Sequence, residues 1–225
     1  MITALNYQSD FISDDLIILG ASGFARELAW VASEATKTWN VLGFLDDRRE
    51  LAGSTVDGIQ VLGGIDEWIQ YSQALFVVGI GNPRIRRTVV DRMQRQGKPI
   101  FAVLIHKSVV HSPSVSLGEG TVVMAGCVLS TNIWVGRHVV MNQSVSVAHD
   151  CQIHNFCTVA PQVALSGNVT LLECVEVGTG ACIRQGLSIG KGAMAGMGAV
   201  VTRDIPDFEL VVGSPASPLR KLEPF

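Results

Sequence analysis

His149 is followed at once by Asp150, and eighteen places further on stands Gly167, which has no side chain. A histidine held by a neighbouring carboxylate is a general base, because the carboxylate fixes the ring and raises the basicity of its free nitrogen. A bare glycine beside it offers an unhindered backbone N–H that can hold an oxygen as negative charge develops. Together they suit proton removal from a nucleophile that is attacking a carbonyl. The competing interpretation of a lone histidine is a surface residue on a solvated turn, and His106, His111 and His138 are read that way. A second group stands upstream. Gly20-Ala21-Ser22-Gly23 closes the apolar run Leu16–Leu19, Asp46-Asp47 closes Val41–Leu45, and Gly79-Ile80-Gly81-Asn82 closes a run from Ala74. Glycine turns at strand ends present N–H groups and a helix N-terminus to phosphate, and an acid roughly 20 residues after the first turn commonly meets a ribose or base.

A six-residue period positions His149. From Leu117, every sixth residue is apolar: Val123, Leu129, Val135, Met141, Val147, and onward without a slip to Val201. Four places after each stands a small or aliphatic residue, as at Cys127, Ile133, Val145 and Ala181. This period fits neither a helix nor one alternating strand; it predicts short strands joined by tight turns, three to a coil, in a hexapeptide β-helix. Residues eighteen apart then lie one above another. That ruler sets Gly167 over His149, and it aligns Thr179 with Met197 in another column, a wall for a long ligand lying along the coil axis. The frame can begin at Ile105 with Val109, although His111 is then an atypical lead residue. Parallel crossovers are normally right-handed, and periodicity alone does not set the hand. After Pro206 the pattern breaks, and Gly213-Ser214-Pro215 marks the turn that ends the solenoid.

Upstream, a small β-α-β domain is predicted. It has a strand over Leu16–Gly20, a helix carrying Phe24, Leu28, Val31 and Ala32, strands over Val41–Leu45 and Ala74–Gly79, and a helix opened by Pro83 that carries Arg84, Arg86 and Arg87. A fourth strand, Ile100–Leu104, leads into the first coil. The chain divides into residues 1–104 and 105–225. The first turn lacks full G-x-G-x-x-G spacing, so a nicotinamide cofactor is not expected. The expected ligand is nucleotide-like, held by Gly20, Ser22, Gly23, Asp46, Asp47, Gly81 and Asn82.

The chain has 225 residues and a net charge of −3, which gives no electrostatic case for nucleic acid or an anionic membrane. No apolar run reaches the ~18 residues of a membrane span. The start, with Asp10, Asp14 and Asp15, is unlike a secretory leader. Five cysteines include no C-x-x-C pair. Cys127, Cys151 and Cys157 occupy inward hexad positions and read as core filler in a reducing compartment. A soluble, cytoplasmic protein is expected.

The segments Leu19-Gly20-Ala21-Ser22-Gly23, Phe44-Leu45-Asp46-Asp47, Gly79-Ile80-Gly81-Asn82, Leu104-Ile105-His106-Lys107-Ser108, His149-Asp150-Cys151 with Ile153, and Val212-Gly213-Ser214-Pro215-Ala216 carry a resemblance. Over nearly the whole chain after its first fifteen residues, the sequence resembles the NeuD/PglD-like family of bacterial sugar acetyltransferases. The resemblance implies a Rossmann-like nucleotide-sugar-binding domain joined to a left-handed β-helix. It also implies a homotrimer, with acetyl-CoA as co-substrate between neighbouring β-helices, and no metal. The reaction implied is N-acetylation of a nucleotide-linked amino sugar in surface-glycan biosynthesis, with sialic-acid-type O-acetylation as the alternative. By the same resemblance His149 is the base, Asp150 raises its basicity, Asn142 lies near the acceptor amine, and the Gly167 N–H meets the thioester carbonyl. Gly213 is placed with acetyl-CoA, the turn Gly20–Gly23 with the phosphates, and Asp46 with Asp47 at the nucleobase. Two positions depart from the family. Phe24, placed with the nucleotide sugar, stands where some members have a histidine after the glycine turn, and Thr158, placed with acetyl-CoA, where some have a histidine that touches that co-substrate.

Two other classes are weighed. Hexapeptide β-helices also carry zinc carbonic anhydrases, and His149 with His154 has H-x₄-H spacing; the third histidine of that pattern falls on Pro113, with His111 out of register. A non-catalytic sugar-nucleotide-binding protein is the other.

Overall fold

The computed structural model describes residues 3–4 and 13–225. Most of the acidic start read against a secretory leader, Asp10 included, lies outside them. The first domain holds β1 (Asp15–Leu19), α1 (Gly23–Ser33), β2 (Asn40–Leu45), β3 (Thr55–Val56), β4 (Ile59–Gly63), β5 (Leu75–Val78) and α2 (Pro83–Gln96). The sheet order is β3-β4-β2-β1-β5, parallel except for the β3–β4 hairpin. β1 and β5 are continuous apolar runs because both faces of the sheet are covered. α1 turns Ala25, Leu28, Val31 and Ala32 onto one face, and α2 turns Val89, Val90 and Met93 onto the other. The hairpin turn Asp57-Gly58, with both φ angles positive, is a strong short-range signal passed over in the sequence reading.

From Leu104 onward the chain is a left-handed parallel β-helix. Two-residue strands form three faces. The first begins with Leu104–Ile105, Val122–Val123 and Val140–Met141, the second with Val110–His111 and Val128–Leu129, and the third with Thr3–Ala4, Ser116–Leu117 and Trp134–Val135. From Leu104 to Val201 pairing partners lie eighteen residues apart, as in Val140↔Thr158 and Ser146↔Ala164. The residues expected inside are inside, and from Leu117 to Val201 the lead position is sealed from solvent. The frame starts at Ile105, with His111 as a half-buried lead residue. Corners recur at the fourth hexad position, where φ is positive: Gly120, Gly126, Asn132, His138, Ser144, Asp150 and onward to Gly198. The hairpin Glu209–Val212 with Ser217–Lys221 closes the open end by adding to the first face. No helix among the described residues is long and apolar enough to cross a membrane.

The predicted strand Ile100–Leu104 is divided. Phe101 makes a single bridge to Phe76 in the α/β sheet, whereas Leu104 is already the first rung of the β-helix. The two halves share their cores: Ala102, Val122 and Met124 pack with the α1 side, and Phe156 and Cys174 pack with the α2 side. Between them lies Arg86, 1% exposed. Its Nε donates to the His138 carbonyl at 2.9 Å and its Nη1 to the Ile80 and Gly81 carbonyls at 2.8 and 2.9 Å. Its Nη2 donates to the Phe156 and Cys157 carbonyls at 2.8 and 3.0 Å and to Thr158 Oγ1 at 2.9 Å. Burial pushes the guanidinium down to about 10, so it stays charged at neutral pH, held by backbone dipoles in place of a carboxylate.

Two of the three histidines assigned to solvated turns are buried. His138 stacks on Phe156 at 5.1 Å and meets the edge of Phe101 at 4.5 Å, because its corner is covered by the α/β domain. Neither of its ring nitrogens has a partner among the described residues. Burial, with Arg86 and Arg137 nearby, pushes it down to about 3, so the ring is neutral. His106 is buried against Trp30, with Nδ1 at 2.8 Å from Ser108 Oγ. Cys127, Cys151 and Cys157 face the β-helix core, and burial pushes the Cys157 thiol up to about 12.

Replacing Arg86 with Met leaves buried carbonyls unpaired at the junction and is expected to lower stability by about 3 kcal/mol or more, measured by urea unfolding. Because the folded pKa of His138 lies below its ordinary 6.5, its contribution is fully present above that pH and falls as pH drops toward 3. The His138→Phe variant is expected to have a flatter dependence of Tm on pH in this window.

Candidate active site

The corner between the second and third faces places His149 and Asp150 outside the core. Asp150 takes the positive-φ position, which Asp tolerates better than most residues, and its carboxylate turns back toward the preceding ring. His149 Nδ1 lies 2.7 Å from Asp150 Oδ2. The other carboxylate oxygen accepts from Asn132 Nδ2 at 2.6 Å. These two hydrogen bonds, with that from Asn132 the larger influence, hold the Asp150 carboxyl below its usual range. About half of each side chain of the His149–Asp150 pair is open to solvent. One coil above, a Cβ on Gly167 would fall 2.5 Å from both Cε1 and Nε2 of His149. Only glycine lets the ring lie against the next coil, so Nε2 sits beside bare backbone. The Gly167 N–H has no hydrogen-bond partner among the described residues, while its carbonyl accepts from Gly186 at 3.0 Å. Asn132 was not singled out from sequence; the eighteen-residue ruler, applied downward from Asp150, finds it.

The remaining predicted residues are distributed. Asn142 lies at the corner between the first and second faces, so the strand Ser146–Val147 separates it from His149 within one chain. Its Nδ2 donates to the Val159 carbonyl at 3.1 Å. Thr179 and Met197 follow the same corner upward, with Thr179 half-buried and Met197 76% exposed. Gly213 is the positive-φ turn of the closing hairpin. Thr158 is elsewhere: it is buried in the interdomain junction, accepting from Arg86 and donating to the Gly81 carbonyl at 2.7 Å. Its hydroxyl is fully engaged there, so the side chain is turned away from solvent. His154 occupies the corner between the third and first faces and packs on Trp134, so the H-x₄-H pair is held at two different corners.

At the strand ends of the α/β domain, Gly20 has φ 97°, and its N–H donates to the Leu45 carbonyl at 2.7 Å. Ser22 is the N-cap of α1 without a side-chain cap bond, and the first turn carries no acid. Ser22 and Gly23 are exposed and Phe24 half-buried, leaving a helix N-terminus open to an anion. Beside it lies an open hollow of about 370 Å³ lined by Gly23, Arg26, Glu27, Trp30 and Asp57. The paired acids are already engaged. Asp46 accepts from the Ala21 N–H at 2.7 Å and from Arg48, which pulls its carboxyl down to about 2 and pins the glycine turn to β2. Asp47 accepts from Arg92 at 2.9 Å and from the Ile65 N–H at 3.0 Å. Gly81 accepts from Arg86 and Thr158, and the Asn82 side chain caps α2 through the N–H groups of Arg84 and Ile85. α1 reaches the β-helix near Asn142, where Gln143 Nε2 donates to Glu27 at 3.3 Å.

An oriented imidazole over bare backbone on a parallel β-helix, joined to an α/β domain whose first helix opens to solvent, is an arrangement suited to proton removal during acyl transfer. Comparison with known proteins narrows this. Residues 15–93 match the PglD N-terminal domain. The chain is 34% identical over 215 residues to a GDP-perosamine N-acetyltransferase of Escherichia coli O157:H7, covering 91% of this chain and 96% of the relative. Among solved structures it is similar to the acetyltransferase domain of PglB from Neisseria gonorrhoeae FA1090 in complex with acetyl coenzyme A. There the TM-score is 0.85 at 37% identity, covering 92% of this chain and 100% of that one. It is likewise similar to PerB from Caulobacter crescentus in complex with CoA and GDP-perosamine, with TM-score 0.83, 31% identity, and 92% and 97% covered. The chain belongs to the NeuD/PglD-like family of sugar acetyltransferases.

A methyl group on Gly167 cannot coexist with the His149 ring in its present place. Gly167→Ala is expected to lower kcat about 100-fold while leaving Tm within a few degrees, as measured by steady-state kinetics and thermal melting.

Proposed function

We propose that the protein transfers acetyl from acetyl-CoA to the amine of a nucleotide-linked amino sugar. The observation that carries this is the His149 ring, tied through Nδ1 to Asp150 and leaving Nε2 beside the open Gly167 backbone. Nε2 takes the proton from the amine as its nitrogen attacks the thioester carbonyl carbon. The oxygen that becomes negative accepts from the Gly167 N–H. Collapse breaks the C–S bond and releases CoA thiolate, and the proton on His149 passes to that sulfur, leaving amide and thiol. The relatives named for GDP-perosamine support an amino sugar over a hydroxyl acceptor. The open N-terminus of α1 suits the diphosphate. The product is an activated, acetylated sugar of the kind a glycan-building glycosyltransferase consumes.

A second copy completes the reading. On the second face the outward column is Val110, Val128, Ser146, Ala164, Cys182 and Val200, small or apolar and free of charge. Asn142 and His149 flank this face at its two edges. Closing three copies around it brings the Asn142 edge of one chain, next to α1 through Gln143 and Glu27, to the His149 edge of its neighbour. The acceptor sugar would then be held by one chain and deprotonated by the next.

The test is CoA-thiol release with GDP-linked amino sugars as acceptors. His149→Ala is expected to lower turnover at least 100-fold; retained turnover sinks the assignment of the base. If sites are shared, co-refolding inactive Asn142→Ala and His149→Ala chains restores activity at roughly a quarter of sites. No recovery in mixed trimers argues that each chain carries its own complete site.

A further inference from the structure

Asp150 has two oxygens, and only one faces the base. Oδ2 lies against His149 Nδ1 at 2.7 Å, while Oδ1 is taken by Asn132 Nδ2 at 2.6 Å from the coil below. Asn132 is itself fixed: its φ is positive, and its N–H donates to Ser114 Oγ at 2.8 Å. Ser114 Oγ in turn lies 3.0 Å from Thr131 Oγ1 and 2.8 Å from Ser112 Oγ. The Asp150 N–H donates to the Thr131 carbonyl at 3.1 Å, so backbone and side chain of two coils are tied at this one corner. The third and fourth corner positions from residue 113 to residue 186 hold Pro113-Ser114, Thr131-Asn132, His149-Asp150, Gly167-Asn168 and Gln185-Gly186. His149 and Asp150 are the titratable groups of that run, and an uncharged donor stands directly beneath them.

We propose that Asn132 is a positioning residue for acetyl transfer, holding Asp150 in the rotamer that aligns the His149 ring over Gly167. The proposal rests on the reading of His149 as the general base. A half-exposed carboxylate on a corner has freedom to swing into solvent, and a ring whose Nδ1 partner wanders loses its orientation. The amide below Asp150 removes that freedom without adding charge. At metal sites, losing the group that fixes a ligating histidine costs tenfold or more, and a ring that must be aimed at a proton faces the same geometric demand.

The variant that isolates the amide is Asn132→Gly, because glycine accepts the positive φ without strain. It is expected to lower kcat roughly tenfold with KM and Tm nearly unchanged. In an Asp150→Gly background the same change is expected to have no further effect, since Asn132 acts only through Asp150. A second variant, Asn132→Asp, keeps the shape but places a carboxylate beneath the pair. Added negative charge favours the protonated imidazole, so the acid limb of the kcat/KM profile is expected to move to higher pH. Wild-type kcat in Asn132→Gly, an equal loss in the Asp150→Gly background, or an unmoved acid limb in Asn132→Asp each overturns the proposal. Retained activity in His149→Ala instead overturns the base itself, so the two failures are told apart.

Discussion

The parallel backbone register of the β-helix is the constraint on which the rest depends. Each rung hydrogen-bonds to its equivalent eighteen residues away, so a side chain's height and corner follow from its place in the hexad. This explains why His149 can stand half-exposed and still be oriented. The coil below holds the Asp150 partner of His149 and the coil above supplies Gly167, at a separation fixed by main-chain hydrogen bonding, about 4.8 Å per layer. Asn132 meets Asp150, and Asp150 and Gly167 meet the ring, because three coils cannot slide past one another.

The hexad frame was legible from apolar positions alone, since burial of two residues in six is an all-or-none condition for the solenoid. The glycine turns and the flanking strands of the α/β domain were legible for the same reason, because fully covered parallel strands are continuous apolar runs. Other features were hidden by their dependence on tertiary contact. Nothing in the repeat foretells that His138 is buried, since it sits on a corner of the solenoid as the His149-Asp150 pair does. One corner is capped by the α/β domain and the other is left open, and only the docking of the two halves decides which. Thr158 shows the same effect: its position in the repeat is that of a face residue, but the face is covered by α2 and its hydroxyl is drawn into the Arg86 cluster. Asn132 was within reach of sequence reasoning, because the ruler that found Gly167 runs in both directions.

Arg86 ties the two halves in an unusual way. A buried guanidinium usually has a carboxylate; here it has the carbonyls of the loop after β5, of the His138 corner and of the Phe156 corner. The loop after β5 ends in Gly81 and Asn82, at the edge where the nucleotide ligand is expected. The group that cements the domains therefore also fixes the loop at this strand-end edge. Asp46 acts similarly, pinning the first glycine turn to the end of β2. These contacts give the α/β domain a fixed seat on the solenoid, with the open end of α1 turned to the corner that carries Asn142.

The eighteen-residue rung pairing has a consequence for how this architecture can vary. Distance along the solenoid comes in whole steps, because adding one or two hexads keeps the inward residues inward but moves every later corner to another face. A complete extra coil between the domain junction and the His149 corner would leave each rung paired and each corner intact. It would carry His149 one layer, about 4.8 Å, further from the turn of α1. The gap between that turn and the His149 corner therefore behaves as a stepped gauge, and any intermediate reach has to be supplied by side chains, since the scaffold itself cannot be tuned between steps.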